Sequence, residues 1–146
     1  MPSVNKSVLV PFTSAQMFAL VDAVEDYPQF LQWCGGVTLH SRNADETVAT
    51  LKIGYANAAH AFTTRNRKIA NESMTIALVD GPFSELQGAW TFVALGDDGC
   101  KVSFQLTYQF SNSVIEAVIG GVFEMIGATL IDRFVSRAET IYRQPL

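Results

Sequence analysis

The stretch that decides the fold is the last long segment, Ser113–Tyr142, which reads SVIEAVIGGVFEMIGATLIDRFVSRAETIY. It contains no proline, and its apolar residues recur in steps of three or four, which places them on one face of an α-helix. Asn112 and Ser113 can supply a side-chain cap to its first turn, and Glu116 sits where a capping-box carboxylate belongs. A helix of this length spans roughly 45 Å, so we expect a curved sheet to wrap around it. The predicted apolar stripe is Ile115, Ile119, Val122, Phe123, Ile126, Leu130, Phe134, Ala138 and Ile141.

The composition indicates one domain over residues 1–146, with more apolar surface than a single core can bury. Hydrophobic residues make up 49% of the chain and charged residues 16%, which predicts a lined cavity or an adhesive surface. The net charge of −4 argues against bulk nucleic-acid binding but leaves room for a local basic patch, and we expect no DNA partner. Cys34 and Cys100 are widely spaced and no signal peptide is evident, so we expect free thiols, no metal site and a cytoplasmic protein, peripheral to the inner membrane at most.

The segment Val114–Ile131 is apolar enough to suggest a membrane span. Glu116 and Glu124 interrupt it, and several glycines weaken it as a spanning helix. We therefore favour an amphipathic helix lying on a sheet.

The N-terminal third predicts one strand followed by two short helices. Val4–Val10 is rich in β-branched residues, and Thr13 or Ser14 can cap a short helix that ends before Pro28. Pro28 then opens a second short helix, and Gly35-Gly36 breaks the chain again.

From residue 37 to residue 110 the pattern changes to strands separated by polar turns. Alternation is clearest in the last strand, where Val102, Phe104, Leu106, Tyr108 and Phe110 share one face. The order of elements predicts an α+β fold in which an antiparallel sheet of about six to seven strands grips the terminal helix. The predicted strands are Val37–Ser41, Thr47–Tyr55, His60–Lys68, Ser73–Val79, Ala89–Leu95 and Cys100–Phe110, with a loop at Gly81–Gly88.

Five ordered segments carry a resemblance to one family along the whole chain. They are EDYPQFLQWC at 25–34, FTTRN at 62–66, DGPF at 80–83 followed by Leu86, Gly88 and Trp90, YQFSN at 108–112, and FVSRA at 134–138. Together they resemble the coenzyme Q-binding branch of the START-like (polyketide cyclase and lipid-transport) superfamily, whose bacterial members include ribosome-association toxins. The resemblance implies a helix-grip fold with a hydrophobic tunnel.

The same resemblance implies two functions. The first is non-enzymatic binding of ubiquinone (coenzyme Q) or a related isoprenoid as ligand, in support of respiration and with no other cofactor. The second is binding to the large ribosomal subunit, which would block subunit association. A cyclase-type enzyme is a third and weaker hypothesis, because the two histidines lie in predicted strands without a nucleophile–base–acid order.

Aromatic and aliphatic residues of the strands and the long helix are candidates for lining the tunnel, since flat rings suit a quinone head and a prenyl tail. The alternative is that they form an ordinary core. The candidates are Phe62, Trp90, Phe92, Phe104, Tyr108, Phe123, Ile126, Leu130 and Phe134.

Three further groups have a functional and a structural interpretation. In the predicted loop, Pro82, Phe83 and Leu86 either gate an entrance or plug the core. Arg137, at the flank of the helix stripe, either anchors a polar ligand atom or joins an ion pair. The basic residues Arg65, Arg67 and Lys68 either contact RNA phosphates or lipid headgroups, or form a solvated strand end.

A second apolar face near the start of the long helix comprises Val114, Ala117, Val118, Gly121 and Met125. It either touches a membrane or a protein partner, or packs under the first strand.

Overall fold

The computed structural model describes residues 2–54 and 60–142, so Tyr55 of the predicted third strand lies outside the described residues. The elements follow one another as β1 (Ser3–Val10), α1 (Ser14–Asp22), a 3₁₀ helix (Val24–Gln29), β2 (Cys34–Arg42), β3 (Glu46–Ile53), β4 (His60–Ile69), β5 (Ser73–Asp80), β6 (Phe83–Leu95), β7 (Gly99–Phe110) and α2 (Ser113–Tyr142).

All seven strands form one antiparallel sheet in the order β1-β7-β6-β5-β4-β3-β2. The first strand pairs with the last, so β1 and β2 are the two edges, and α1 with the 3₁₀ helix connects them. α2 packs against α1, β1 and β7 and supplies Phe123 and Phe134 to the core. The predicted helix-grip α+β fold is confirmed.

The sequence located α2 and β7 correctly. α2 has the predicted bounds, and the Asn112 side-chain oxygen accepts a hydrogen bond from the Ile115 amide at 2.9 Å. The five inward residues predicted for β7 are all buried. Gly96, at a φ of 69°, opens the turn that joins β6 to β7.

The stripe on α2 is narrower and slightly rotated relative to the prediction. Val122 and Ile141 are exposed, whereas Gly127 and Ile131 are buried. Gly127 lies against β1 so closely that an added Cβ would come within 2.5 Å of a Val4 methyl carbon. α2 is also the one described helix long and apolar enough, by length and composition, to cross a membrane. In this fold seven of its residues are buried, on the side that faces the rest of the domain.

The two short helices are present with different limits. α1 begins with the capping box of Thr13 and Gln16, but it ends at Asp22. The second helix is a 3₁₀ helix that contains Pro28 instead of starting there. Burial of the Tyr27 ring, whose hydroxyl donates to the Val21 carbonyl, holds this turn upstream of the proline. Likewise, Gly35-Gly36 does not interrupt the chain, since it lies inside β2 at a bulge.

The predicted loop at Gly81–Gly88 is wrong, because β6 already begins at Phe83 and pairs with β7 from Phe110 onward. Gly88 is required for close approach within the sheet: an added Cβ would come within 2.5 Å of the Gln105 carbonyl oxygen. A bulge between Phe83 and Glu85 allows Phe83 and Leu86, three residues apart, both to face inward.

Candidate functional site

An apolar cavity of about 80 Å³ lies between the concave face of the sheet, the 3₁₀ helix and α2. The half-buried Ile76 of β5 and Leu130 of α2 belong to its wall, whereas most other lining residues are buried. The lining residues are Val24, Tyr27, Trp33, Leu51, Phe62, Thr64, Asn66, Ile76, Leu86, Trp90, Phe104, Leu106, Phe123, Ile126, Leu130 and Phe134.

The structure places seven of the nine tunnel candidates around this cavity, namely Phe62, Trp90, Phe104, Phe123, Ile126, Leu130 and Phe134. The other two lie elsewhere. Phe92 packs edge-on against Phe18 of α1, with ring centroids 5.7 Å apart, because β6 extends under α1 at that point. Tyr108 packs edge-on against Phe123, with ring centroids 4.7 Å apart, and lines a different cleft.

Two polar lining residues, Thr64 and Asn66, were not recognised from the sequence. Both are buried, and the Asn66 side-chain oxygen has no hydrogen-bond partner within residues 2–54 and 60–142. They share the inward face of β4 with Phe62, so the period-two pattern of that strand could have identified them. The cavity therefore combines an apolar wall with one amide and one hydroxyl group.

The three residues assigned to a gate belong to ordered structure. Phe83 is buried in an aromatic cluster, with ring centroids 5.2 Å from Phe110 and 5.0 Å from Phe123. Leu86 lines the cavity wall. Pro82 occupies the turn before β6, where its carbonyl accepts a hydrogen bond from the Ser111 amide at 3.0 Å.

The basic cluster of β4 is divided between the two faces of the sheet. Arg65 and Arg67 point outward and are exposed, and the Arg65 Nε lies 3.3 Å from a carboxylate oxygen of Glu46. Lys68 points the other way, with its side chain 4% exposed and its Nζ 3.0 Å from the Asp22 carboxylate. Lys68 is therefore unavailable for phosphates or headgroups, because the strand alternation turns it inward.

Asp22 is the centre of a polar cluster that the sequence analysis missed. Its carboxylate accepts hydrogen bonds from Lys68 and, at 2.8 Å, from the Thr47 hydroxyl. Arg42 donates to both carboxylate oxygens of Glu25, at 2.6 and 2.9 Å, and to the Asp22 carbonyl. The hydrogen bonds from Arg42 lower the pKa of Glu25. The cluster ties the end of α1 to β2, β3 and β4.

Among residues 2–54 and 60–142, no carboxylate forms an ion pair with Arg137, and its buried Nε has no hydrogen-bond partner there. Its Nη2 donates to the Gln29 side-chain oxygen at 2.8 Å, and its guanidinium carbon lies 5.1 Å from the centroid of the Phe30 ring. Arg137 is not among the residues that line the cavity, and these two contacts connect α2 to the 3₁₀ helix.

Both cysteines and Tyr27 lie where burial disfavours their ionised forms. Burial raises the pKa of the Cys34 and Cys100 thiols, which lowers their thiolate fraction at neutral pH. Burial also raises the pKa of the Tyr27 phenol. Across the part of the chain that the structure describes, no three His, Cys, Asp or Glu side chains form a potential metal site.

The second apolar face of α2 is open to solvent. Val114, Val118 and Met125 are 71%, 63% and 45% exposed, and Ala117 and Gly121 are exposed beside them. The alternative that this face packs under β1 is therefore wrong.

Residues 10–135 match the family model described as polyketide cyclase / dehydrase and lipid transport. The chain belongs to this family. Among solved structures, the START superfamily protein from Mycobacterium smegmatis has a similar fold, with a TM-score of 0.73. The two sequences are 19% identical, and the match covers 95% of this chain and 98% of that one. At that identity the likeness concerns the fold, and it confirms the START-like resemblance.

Two curated relatives of this family member carry functional names. The ribosome association toxin RatA of Escherichia coli K12 is 37% identical over 97% of this chain and 90% of its own length. The mitochondrial coenzyme Q-binding protein COQ10 homolog B of Xenopus laevis is 22% identical over 94% of this chain and 58% of its own length. Both branches of the resemblance are therefore represented, and the toxin branch is the more similar of these two.

Proposed function

We propose that this protein associates with the large ribosomal subunit and interferes with subunit association. The observation that carries the proposal is the 37% identity to a ribosome association toxin, which extends over 97% of the chain. The size of the cavity also favours ribosome association over the binding of a prenylated quinone. About 80 Å³ is roughly half of a cavity that holds benzene, so a prenylated quinone requires side chains to move apart. The ribosomal hypothesis thus moves ahead of the ligand-carrier hypothesis.

The exposed face of β4 offers groups suited to ribosomal RNA. Arg65 and Arg67 lie two residues apart, so both side chains project from the same outer face of the sheet. Their guanidinium groups can each donate two parallel hydrogen bonds to a phosphate. Because the whole chain carries a net charge of −4, contact with RNA must be confined to a local patch of this kind.

Reversing both charges should weaken ribosome binding. In the Arg65→Glu, Arg67→Glu variant we expect the affinity for isolated large subunits at low salt to fall by about tenfold or more. Each phosphate contact that is lost means that fewer counterions are released on binding. The measurement is sucrose-gradient sedimentation over a series of salt concentrations, in which the variant should also show a shallower salt dependence.

The matched control is Lys101→Glu with Arg133→Glu, which makes the same change in net charge at exposed positions on β7 and α2. This control should bind large subunits like the wild type. Equal loss in both variants would assign the effect to net charge, and no sedimentation of the wild type at low salt would end the proposal.

A second candidate function, binding of ubiquinone or a related isoprenoid, is favoured by the Asn66 amide oxygen, which lies in the wall of the apolar cavity and has no hydrogen-bond partner among the described residues. An amide offers both a donor for a quinone carbonyl and an acceptor for a quinol hydroxyl. Ile76 and Leu130, both half-buried, are the side chains best placed to move aside for a ligand. Neither function calls for a catalytic group, and the raised pKa values of the cysteines agree with a non-enzymatic role.

Ligand entry can be detected with the tryptophans of the protein itself. Trp33 and Trp90 are the two tryptophans of the chain, and both line the cavity. A short-chain ubiquinone should therefore quench their fluorescence with a saturating dose dependence. The Asn66→Leu variant should bind it about threefold to tenfold more weakly, the equivalent of one hydrogen bond.

Asn5→Leu, the same substitution on the exposed outer face of β1, is the control and should leave quenching unchanged. Linear, non-saturating quenching of the wild type, together with no isoprenoid in organic extracts of the fresh protein, would exclude this second function without affecting the ribosomal one.

A further inference from the structure

The wall of the apolar cavity contains no counterion for a charged ligand. Among the residues that the structure describes, the side chains lining it include no aspartate, glutamate, lysine, arginine or histidine. The Tyr27 hydroxyl in this wall donates to the Val21 carbonyl, and burial raises the pKa of Tyr27, so the phenol stays neutral. A charged group buried there would remain unpaired at a high cost. Whatever part of a ligand enters this cavity is therefore neutral.

Asn66 is the polar group of the wall that needs a ligand of one particular kind. Its side chain is 9% exposed, and its amide oxygen has no hydrogen-bond partner among residues 2–54 and 60–142. That oxygen can only accept a hydrogen bond. A buried acceptor without a partner destabilises the fold, so a donor that reaches it from the cavity gains the full benefit of the bond.

The side chains that neighbour Asn66 in the sheet do not supply this donor. Its register partner on β3 is Thr47, whose hydroxyl donates to the Asp22 carboxylate at 2.8 Å. The next inward residue of β4, Lys68, donates to the same carboxylate at 3.0 Å. On β5 the register partner is Ile76, which has no polar side-chain atom. The missing donor is therefore left to a molecule inside the cavity.

We propose that the cavity prefers the reduced, hydroquinone form of a quinone-type ring to the oxidised form, an inference that rests on the second candidate function. A hydroquinone is flat and neutral, and its hydroxyl can donate to the Asn66 oxygen. The oxygens of the oxidised ring only accept, so a bound quinone can use the amide N–H but leaves the amide oxygen unpaired. Both forms have nearly the same shape and require the same opening of the cavity, so size does not decide between them.

The expected preference is about tenfold, because the two forms differ by one buried acceptor that is either satisfied or left unpaired. Anaerobic calorimetric titration of the full chain measures it, with ubiquinol and ubiquinone that carry one isoprene unit as the two probes. A second readout is the potential of the bound probe. Tighter binding of the reduced form by tenfold should raise its two-electron reduction potential by about 30 mV.

Asn66→Leu should lose or reverse this preference, because no acceptor remains to be satisfied. The reduced probe should then lose about tenfold more affinity than the oxidised probe. Asn5→Leu, the same substitution on the exposed outer face of β1, should keep the preference of the wild type. The comparison of the two probes on the wild type needs no variant, so it decides even if Asn66→Leu does not fold.

Saturable binding of both probes with affinities within about twofold would overturn the proposed preference and leave the second candidate function standing. The same conclusion would follow if Asn66→Leu kept the preference, since the selectivity would then come from another group. Binding of neither probe would remove the second candidate function and this inference with it.

Discussion

The Asp22→Ala variant should lose about 3–5 kcal/mol of the free energy of unfolding, the usual result of leaving one member of a buried ion pair without its partner. The Lys68 side chain is 4% exposed and the Asp22 side chain 17% exposed, and the Lys68 ammonium group lies 3.0 Å from the Asp22 carboxylate, so the removal of Asp22 leaves a buried ammonium group unpaired. The substitution also removes the acceptor for the buried Thr47 hydroxyl. Urea denaturation, monitored by tryptophan fluorescence, measures the loss in the free energy of unfolding.

Glu25→Ala is the matched control, because it removes a carboxylate from the same cluster at a more exposed position. The Glu25 side chain is 44% exposed and that of its partner Arg42 is 31% exposed, so the expected loss is below about 1 kcal/mol. Adding Lys68→Met to Asp22→Ala should restore part of the stability, since the double variant no longer buries an unpaired charge. Equal losses in Asp22→Ala and Glu25→Ala would show that Lys68 reaches solvent and that the pair is not a buried one.

In this cluster, the sequence pattern predicts the face of the strand on which Lys68 lies but not its partner. The period of β4 was sufficient to predict that Lys68 faces inward with Phe62, but the partner lies 46 residues earlier, in α1. Local patterns identify the face of a strand and not the element packed against it. The grouping of Lys68 with Arg65 and Arg67 followed proximity in sequence, and the alternation of the strand separates them.

Elements in which a regular hydrophobic pattern continues over many residues were predicted well. Elements whose limits depend on tertiary contacts were not. α2 and β7 carry their own signals over 30 and 12 residues, and both were placed within a residue of their limits. The start of β6 was missed because Gly81 and Gly88 resemble loop ends. Gly88 is instead required by the approach of the neighbouring strand, which is a property of the assembled sheet.

The same distinction holds for the cavity. Aromatic residues were selected because they suit a tunnel, and seven of nine line the cavity. The polar lining residues Thr64 and Asn66 were missed because the candidates were chosen only among aromatic and aliphatic side chains. How large the cavity is depends on the sum of all side chains around it, which no single motif specifies.

Phe134→Ala tests how far the cavity can open. Phe134 is 1% exposed, and its ring centroid lies 5.4 Å from Tyr27, 5.2 Å from Phe30 and 5.2 Å from Trp90. Removing the ring should lower the free energy of unfolding by about 3–5 kcal/mol, the range for a buried phenylalanine. The new space adjoins the existing cavity, so the variant should gain a site for a small flat molecule. Differential scanning calorimetry measures both effects.

Indole is a suitable probe, because its flat fused ring system contains a six-membered aromatic ring like the one removed and its N–H can donate to the Asn66 oxygen. At ten times its Kd it should restore about 1.4 kcal/mol to Phe134→Ala. Val118→Ala, a deletion at an exposed position of the same helix, should change stability by less than about 0.5 kcal/mol and gain nothing from indole. If indole stabilises the wild type as strongly as Phe134→Ala, the cavity already opens to ring-sized ligands, and the low rank given to ligand binding must be revised. If it stabilises neither, the walls collapse into the vacated space, and a quinone carrier becomes untenable on packing grounds.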